Sequence, residues 1–306
     1  MAPIQRPRPY HWLLLLSLVV LWGSRYFAVE IALEAYEPLD IVFLQLAIAG
    51  VMLWIVMRAA GERLPRDLKS WVYFNAMALF GNGLPYFLEA WGQVYIESAL
   101  VGILMSVSPL SVLLLAHLLL PDERATGGRA AGFAVGLVGV VLLIGPSALT
   151  DIGGGFMRVV AQLAVLGAAV CYGLAAVLAR LAPQHSPRVV AAGVLVAAAL
   201  QLAPIWIVSG GLAEWPGFGR PTLAVIGVGT LCIGLAALAF YQLIAESGAS
   251  FQSLSNYLTP LWAAFLGYVL LDERLPANVY LALGLVFVAL WLTSRGDGKE
   301  TPAAPD

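Results

Sequence analysis

Three ionisable side chains stand inside long apolar runs: Arg25, Glu30 and Glu89. A charge at membrane depth costs about 2.5–3.5 kcal/mol on insertion scales, so such residues face a partner or water rather than lipid. Their chemistry is recognition rather than bond breaking. An arginine fork holds a carboxylate, and a glutamate takes a cation or a proton. Helical rise places Arg25 about 4 Å and Glu89 about 10 Å to the same side of the midplane of their spans, with Gln45 near the depth of Arg25. Two readings stand. Arg25 and Glu89 neutralise each other as a buried structural pair, or they form a substrate or proton site. Glu30 lies near the end of its span and reads as interfacial.

Further polar groups gather around two prolines at equivalent places, Pro109 and Pro260. Proline removes its own N–H and displaces the carbonyl four residues back, here that of Met105 and of Asn256. Backbone exposed at mid-membrane is tolerated where it lines a cavity, so both prolines are candidate helix breaks. Ser106, Ser108, Asn256 and Tyr257 flank them as candidate hydrogen-bonding groups. Asn75, Asn82, Tyr86, Trp91 and Gln93 give residues 71–93 a polar content that suits a water-lined span. Trp22 and Tyr172 occupy matching places in two similar tripeptides and complete the candidate substrate-binding set with Arg25 and Gln45. Gln93 and Gln242 sit near helix ends, where capping or packing explains them as well as binding does.

The elements that must position these residues are helices in lipid. Of 306 residues, 61% are apolar and 11% charged, against roughly 25% charged in a soluble domain. So few charges cannot cover a soluble surface of this size. A crossing helix needs about 20 residues. Apolar runs of that length predict spans over 12–33, 38–57, 71–93, 99–120, 129–147, 158–180, 188–209, 221–244, 249–271 and 277–294. The first run follows Arg6 and Arg8 like a signal peptide, but no small-residue cleavage site follows it, so it reads as an uncleaved helix. Cys171 and Cys232 lie in apolar runs and read as core residues. Net charge is −2, which gives no reason to expect nucleic acid.

The second five spans repeat the first five. Gln93-Val94-Tyr95-Ile96-Glu97-Ser98 leads to Ser108-Pro109-Leu110 and Asp122-Glu123-Arg124. Gln242-Leu243-Ile244-Ala245-Glu246-Ser247 leads to Thr259-Pro260-Leu261 and Asp272-Glu273-Arg274. Leu21-Trp22-Gly23 finds Cys171-Tyr172-Gly173 at the same offset of about 150 residues. With the N-terminus in the cytoplasm, twelve lysines and arginines fall inside and three (Arg158, Arg220 and Arg274) outside. By the positive-inside rule both termini are then cytoplasmic. An odd number of spans per unit inverts the second unit relative to the first, the architecture of many secondary transporters.

These residues resemble the EamA repeats of the drug/metabolite transporter superfamily. The resemblance rests on Trp22-Gly23-Ser24, Leu84-Pro85-Tyr86 to Gln93, Gly136-Leu137-Val138-Gly139-Val140-Val141-Leu142-Leu143 and the two Pro…Asp-Glu-Arg blocks. It implies an all-α polytopic membrane protein of ten transmembrane helices in two inverted five-helix repeats. Residues 11–147 would form the first, 158–294 the second and 295–306 a polar tail. It further implies a central cavity lined by helices 1–4 and 6–9, alternating access and export of amino acids or other small metabolites or drug-like organic ions. This chain departs from the family pattern at Arg25, Gln45, Glu89 and Met105, where the family more often carries a small or polar residue, Arg, an apolar residue and Asn.

The expected setting is a bacterial inner membrane, with a small-molecule substrate and lipid as partners and a proton as candidate coupling ion. Oligomeric state is left open. No cofactor or metal is expected, because the sequence shows neither a Walker lysine loop, nor a strand–GxGxxG–helix, nor a metal-ligand cluster. A receptor or scaffold that binds without transport is the alternative. An intramembrane enzyme would need acid, base or metal ligands clustered at one depth, and only Arg25 and Glu89 offer anything of that kind.

Overall fold

The computed structural model describes residues 8–119, 127–144, 155–181, 183–212, 215–247, 249–252 and 254–296. Asp122, Glu123 and Arg124, most of the 148–157 connector and the tail beyond 296 lie outside the described residues. The described chain is helical, with no strand among these residues. The first unit holds α1 (Pro9–Ala32), α2 (Pro38–Ala59), α3 (Leu68–Ala78), α4 (Leu84–Gln93), α5 (Ser98–Leu104), α6 (Ser108–Leu119) and α7 (Gly127–Ile144). The second holds α8 (Gly155–Leu178), α9 (Pro187–Val208), α10 (Arg220–Gly227), α11 (Ala236–Ser247), α12 (Ala249–Gln252), α13 (Ser255–Leu271) and α14 (Ala277–Gly296).

Local chemistry starts and stops these helices. Pro38 and Pro187 stand in the first turn, where a missing N–H costs nothing. Asp67 caps α3 by accepting from the Ser70 N–H at 2.8 Å, and Ser186 caps α9 through Val189. Asp40 in the first turn of α2 and Arg58 in its last suit the helix dipole. Wide π turns join α3 to α4 (Leu79–Gly83) and α10 to α11 (Val228–Leu235), at equivalent places in the two units. A 3₁₀ turn, Met105–Val107, joins α5 to α6 just before Pro109. By contrast, α13 runs through Pro260. There the proline sits in the second turn, and Thr259 Oγ1 donates to the Ser255 carbonyl at 2.8 Å.

Among the described residues, six helical stretches are long and apolar enough to cross a membrane: Pro9–Ala32, Pro38–Ala59, Ser98–Leu119, Gly155–Leu178, Pro187–Val208 and Arg220–Ser247. Two shorter apolar helices cover Leu258–Leu271 and Ala277–Ala289. Leu13, Trp54, Ile55, Val208 and Phe265 point outward, the surface of a molecule whose solvent is hydrocarbon.

Packing relates the units. Start meets end where α2 packs on α9: Trp206 donates to Asp40 at 2.6 Å, and Arg188 donates two bonds to Glu62. These two equivalent helices therefore run antiparallel. So do α7 and α14, where Gly139 lies against the Ala282 carbonyl and Asn278 Nδ2 donates to the Leu142 carbonyl. Two glycines at equivalent places permit close approach. A Cβ on Gly23 would lie 2.7 Å from Trp262 of α13, and one on Gly173 would lie 2.9 Å from the Ser111 backbone of α6. The main apolar core joins α2, α3 and α9 to the π turn of the second unit, through Leu46, Leu53, Phe74, Ala192 and Val228.

Candidate functional site

Arg25 and Glu89 meet in the middle of the bundle. The Arg25 guanidinium donates from Nη1 to the Glu89 carboxylate. Arg25 is 4% exposed and Glu89 0%, so the pair is shut off from both ends. The Tyr86 ring, one turn before Glu89 on α4, lies under the guanidinium with its centroid 4.0 Å from Cζ. That geometry lets the ring face stabilise the cation. The Tyr26 ring centroid lies 5.9 Å from the same carbon. Tyr172 of α8 lies within electrostatic reach of both charges, and Cys232, from the second π turn, within reach of Arg25. Helices of both units therefore surround one ion pair.

The pair does not exhaust its own hydrogen-bonding capacity. Arg25 Nε and Nη2 and Glu89 Oε1 are buried without a partner. Buried polar groups are normally satisfied, and each orphan calls for an explanation. Gln45 on α2 is 0% exposed with both amide atoms unpartnered. Together these atoms are unspent donors and acceptors at the core of an apolar bundle.

Of the other sequence candidates, Trp22, Asn82 and Ser106 are placed by contacts of their own. Trp22 packs its ring on Phe240 of α11, centroids 5.5 Å apart, within an apolar cluster. Asn82 lies in the first π turn and donates to the Met77 carbonyl at 3.2 Å, so it serves the turn itself. Ser106 is buried and donates to the Ile103 carbonyl at 2.6 Å. Ser108 begins α6, and Asn256 is half-buried on α13. Tyr257 lies on α13, but its side chain is outside the described residues. Pro109 follows the 3₁₀ turn Met105–Val107, and Pro260 lies within α13, which starts after the short α12.

Spacing alone does not single out Tyr26 and Cys232. Tyr26 follows Arg25 on α1, whereas Cys232 comes within electrostatic reach of Arg25 because the second π turn packs on α1. The offset of Tyr26 from Arg25 by one residue was the available signal. Gln93, one turn beyond Glu89, donates to the Tyr26 carbonyl at 2.8 Å and ties α4 to α1 directly above the pair. Trp262 Nε1 donates to Ser24 Oγ at 3.0 Å, tying α13 to α1 beside it.

The sequence model of the EamA-like transporter family matches residues 10–145 and again residues 159–295. An uncharacterized transporter of Archaeoglobus fulgidus is 23% identical, over 93% of this chain and 98% of that protein. The uncharacterized inner membrane transporter YedA of Escherichia coli is 25% identical, over 92% and 90%. A probable terminal-alkyne amino-acid exporter of Streptantibioticus cattleyicolor is 28% identical, over 96% of both chains. A solved crystal structure at 23% identity superposes with a TM-score of 0.64, over 94% of this chain and 99% of the other, and shows the same fold.

Proposed function

The chain belongs to the EamA-like transporter family, and from that premise we propose that it exports a small zwitterionic metabolite of the amino-acid type through a central site built on Arg25 and Glu89. It is a multi-pass membrane protein, and transport of a small molecule follows from its family. One observation carries the proposed site: the buried pair keeps unspent hydrogen-bonding atoms of both signs, Arg25 Nε and Nη2 and Glu89 Oε1. A solute carboxylate would take the free guanidinium N–H groups, and a solute ammonium would take the free carboxylate oxygen. Tyr26, Tyr86 and Tyr172 would wall the site. The name of the Streptantibioticus cattleyicolor relative, "probable terminal-alkyne amino-acid exporter", supports this substrate class.

In this reading ten spans form two inverted units of five, residues 11–147 and 158–294, with both termini cytoplasmic in an inner membrane. The antiparallel packing of α2 on α9 and of α7 on α14 supports the inversion. The Escherichia coli relative, an inner membrane transporter, supports the compartment. Alternating access then moves one unit against the other about the closed pair, and the paired π turns are the places where the helices yield. A proton on Glu89 is the candidate coupling ion. The test is flux into proteoliposomes over amino acids, organic cations and sugars, with and without a pH gradient. Amino-acid flux that depends on Arg25 and Glu89 supports the reading. Flux restricted to organic cations or sugars refutes the substrate class.

A further inference from the structure

A second polar place lies at the end of the bundle where α1 and α4 finish and α5 and α8 begin. It is a cavity of about 430 Å³ whose wall includes Glu30, Glu34, Gln93, Glu97, Arg158 and Glu273. Four carboxylates and one arginine make a negative rim, but three of the carboxylates are already engaged. Arg158 donates to Glu97 at 2.6 Å. Arg220 stands 3.6 Å from Glu34. Glu273 accepts from the Ser98 N–H and hydroxyl and from the Ala99 N–H, at 2.8–3.0 Å, and so caps α5.

Glu30 is the carboxylate left over. Among the described residues it has no cationic partner, and its contact is with Gln93 Nε2 at 3.4 Å. The same nitrogen gives its other N–H to the Tyr26 carbonyl at 2.8 Å, so its bond to Glu30 is the long, weak one and brings no charge. The other end of the same amide, Gln93 Oε1, is buried without any partner, in a residue 4% exposed. Glu30 on the cavity wall thus lacks a cationic partner, and beside it Gln93, which also lines the cavity, keeps a buried carbonyl oxygen unsatisfied. Both are acceptors. A ligand that answers both must bring a positive charge and more than one N–H, because an unmet buried acceptor is costly and a charge-assisted bond is strong.

We propose that Glu30 and Gln93 form a binding site for a primary ammonium group, distinct from the Arg25–Glu89 pair and one helical turn beyond it on α4. The ammonium donates to the Glu30 carboxylate and to Gln93 Oε1. It belongs to a soluble amine or to a lipid headgroup. The site does not rest on the transport reading, because binding is measured without flux.

Equilibrium dialysis of the purified full-length protein in lipid-free detergent, with radiolabelled n-propylammonium, tests it. Tetramethylammonium carries the charge but no N–H and should bind at least tenfold more weakly. Glu30→Gln should weaken n-propylammonium at least tenfold, a factor that corresponds to about 1.4 kcal/mol. Glu30→Asp keeps the charge but withdraws it by one methylene. It should weaken binding less than Glu30→Gln does, and it serves as the second variant if Glu30→Gln does not fold. Glu34→Gln, whose carboxylate is already paired, should change the affinity less than threefold. In nanodiscs, weaker n-propylammonium binding when phosphatidylethanolamine replaces phosphatidylcholine assigns the site to the lipid headgroup. Unchanged binding assigns it to a soluble amine. Equal affinity for n-propylammonium and tetramethylammonium, wild-type affinity in folded Glu30 variants, or no binding in detergent overturns the proposal.

Discussion

At the scale of single residues, burial makes the Arg25–Glu89 pair a sharp test case. Removing one partner from a buried ion pair costs about 3–5 kcal/mol, mainly because the other charge is stranded, whereas removing both is far milder. Glu89→Gln and Arg25→Gln should each lower the melting temperature in detergent strongly, and the double variant should recover much of the loss. Strictly additive losses would show that the two side chains are not energetically paired. The sequence carries this pair clearly, since two opposite charges of similar depth in apolar runs have few other ways to be stable. It does not carry the surrounding cage. Cys232 looks like an ordinary core residue until the second π turn brings it within electrostatic reach of Arg25, and Tyr26 reads as packing despite following Arg25 in the chain. Gln93 reads as a helix-end residue. Its bridge to the Tyr26 carbonyl and to Glu30 depends on the rotation of α4 against α1, which no local pattern encodes.

At the scale of elements, the close crossings depend on two glycines. Gly23→Val and Gly173→Val should each destabilise by about 1–3 kcal/mol, the usual cost of overpacking, because the new side chains meet Trp262 and the Ser111 backbone. Gly284 has open space where a Cβ would go. Gly284→Ala should therefore be neutral or stabilising by up to about 1 kcal/mol from helix propensity. Thermal unfolding of the three variants decides the matter, and equal effects would remove the packing argument. The α2–α9 contact adds a pH signature. Hydrogen bonds from Arg188, with help from Ser186, hold the Glu62 carboxyl below its ordinary value. A depressed pKa means stabilisation that is present above the unfolded value and lost as pH falls through the folded one. Wild type should thus exceed Glu62→Gln in melting temperature at neutral pH, with the gap closing on acidification below about pH 4. A gap that widens on acidification would contradict the assignment. Apolar runs carry the helices themselves, but not their irregularities. The π turns insert extra residues without a composition signal, and Pro260 is absorbed in an early helical turn while Pro109 follows a 3₁₀ turn.

At the scale of the whole molecule, the two matched units and their antiparallel contacts set the topology. In a variant lacking Cys171 and Cys232, a cysteine at Phe218 should react with an impermeant reagent added to intact cells. One at Arg63 should react only after lysis. The reverse pattern would invert the proposed orientation. The proposed orientation rests on the lysine and arginine distribution, whereas the duplication is legible in the repeated Gln…Glu-Ser and Pro…Asp-Glu-Arg blocks. The closed state of the centre is not, because it depends on how two units meet. The central claim is that the two units meet around a substrate site, and counterflow in proteoliposomes tests it most directly. Labelled neutral amino acids should exchange through the wild-type protein, and the folded Arg25→Gln/Glu89→Gln double variant should exchange them at least tenfold more slowly. Wild-type counterflow through that double variant would contradict the account and leave the pair a structural feature alone.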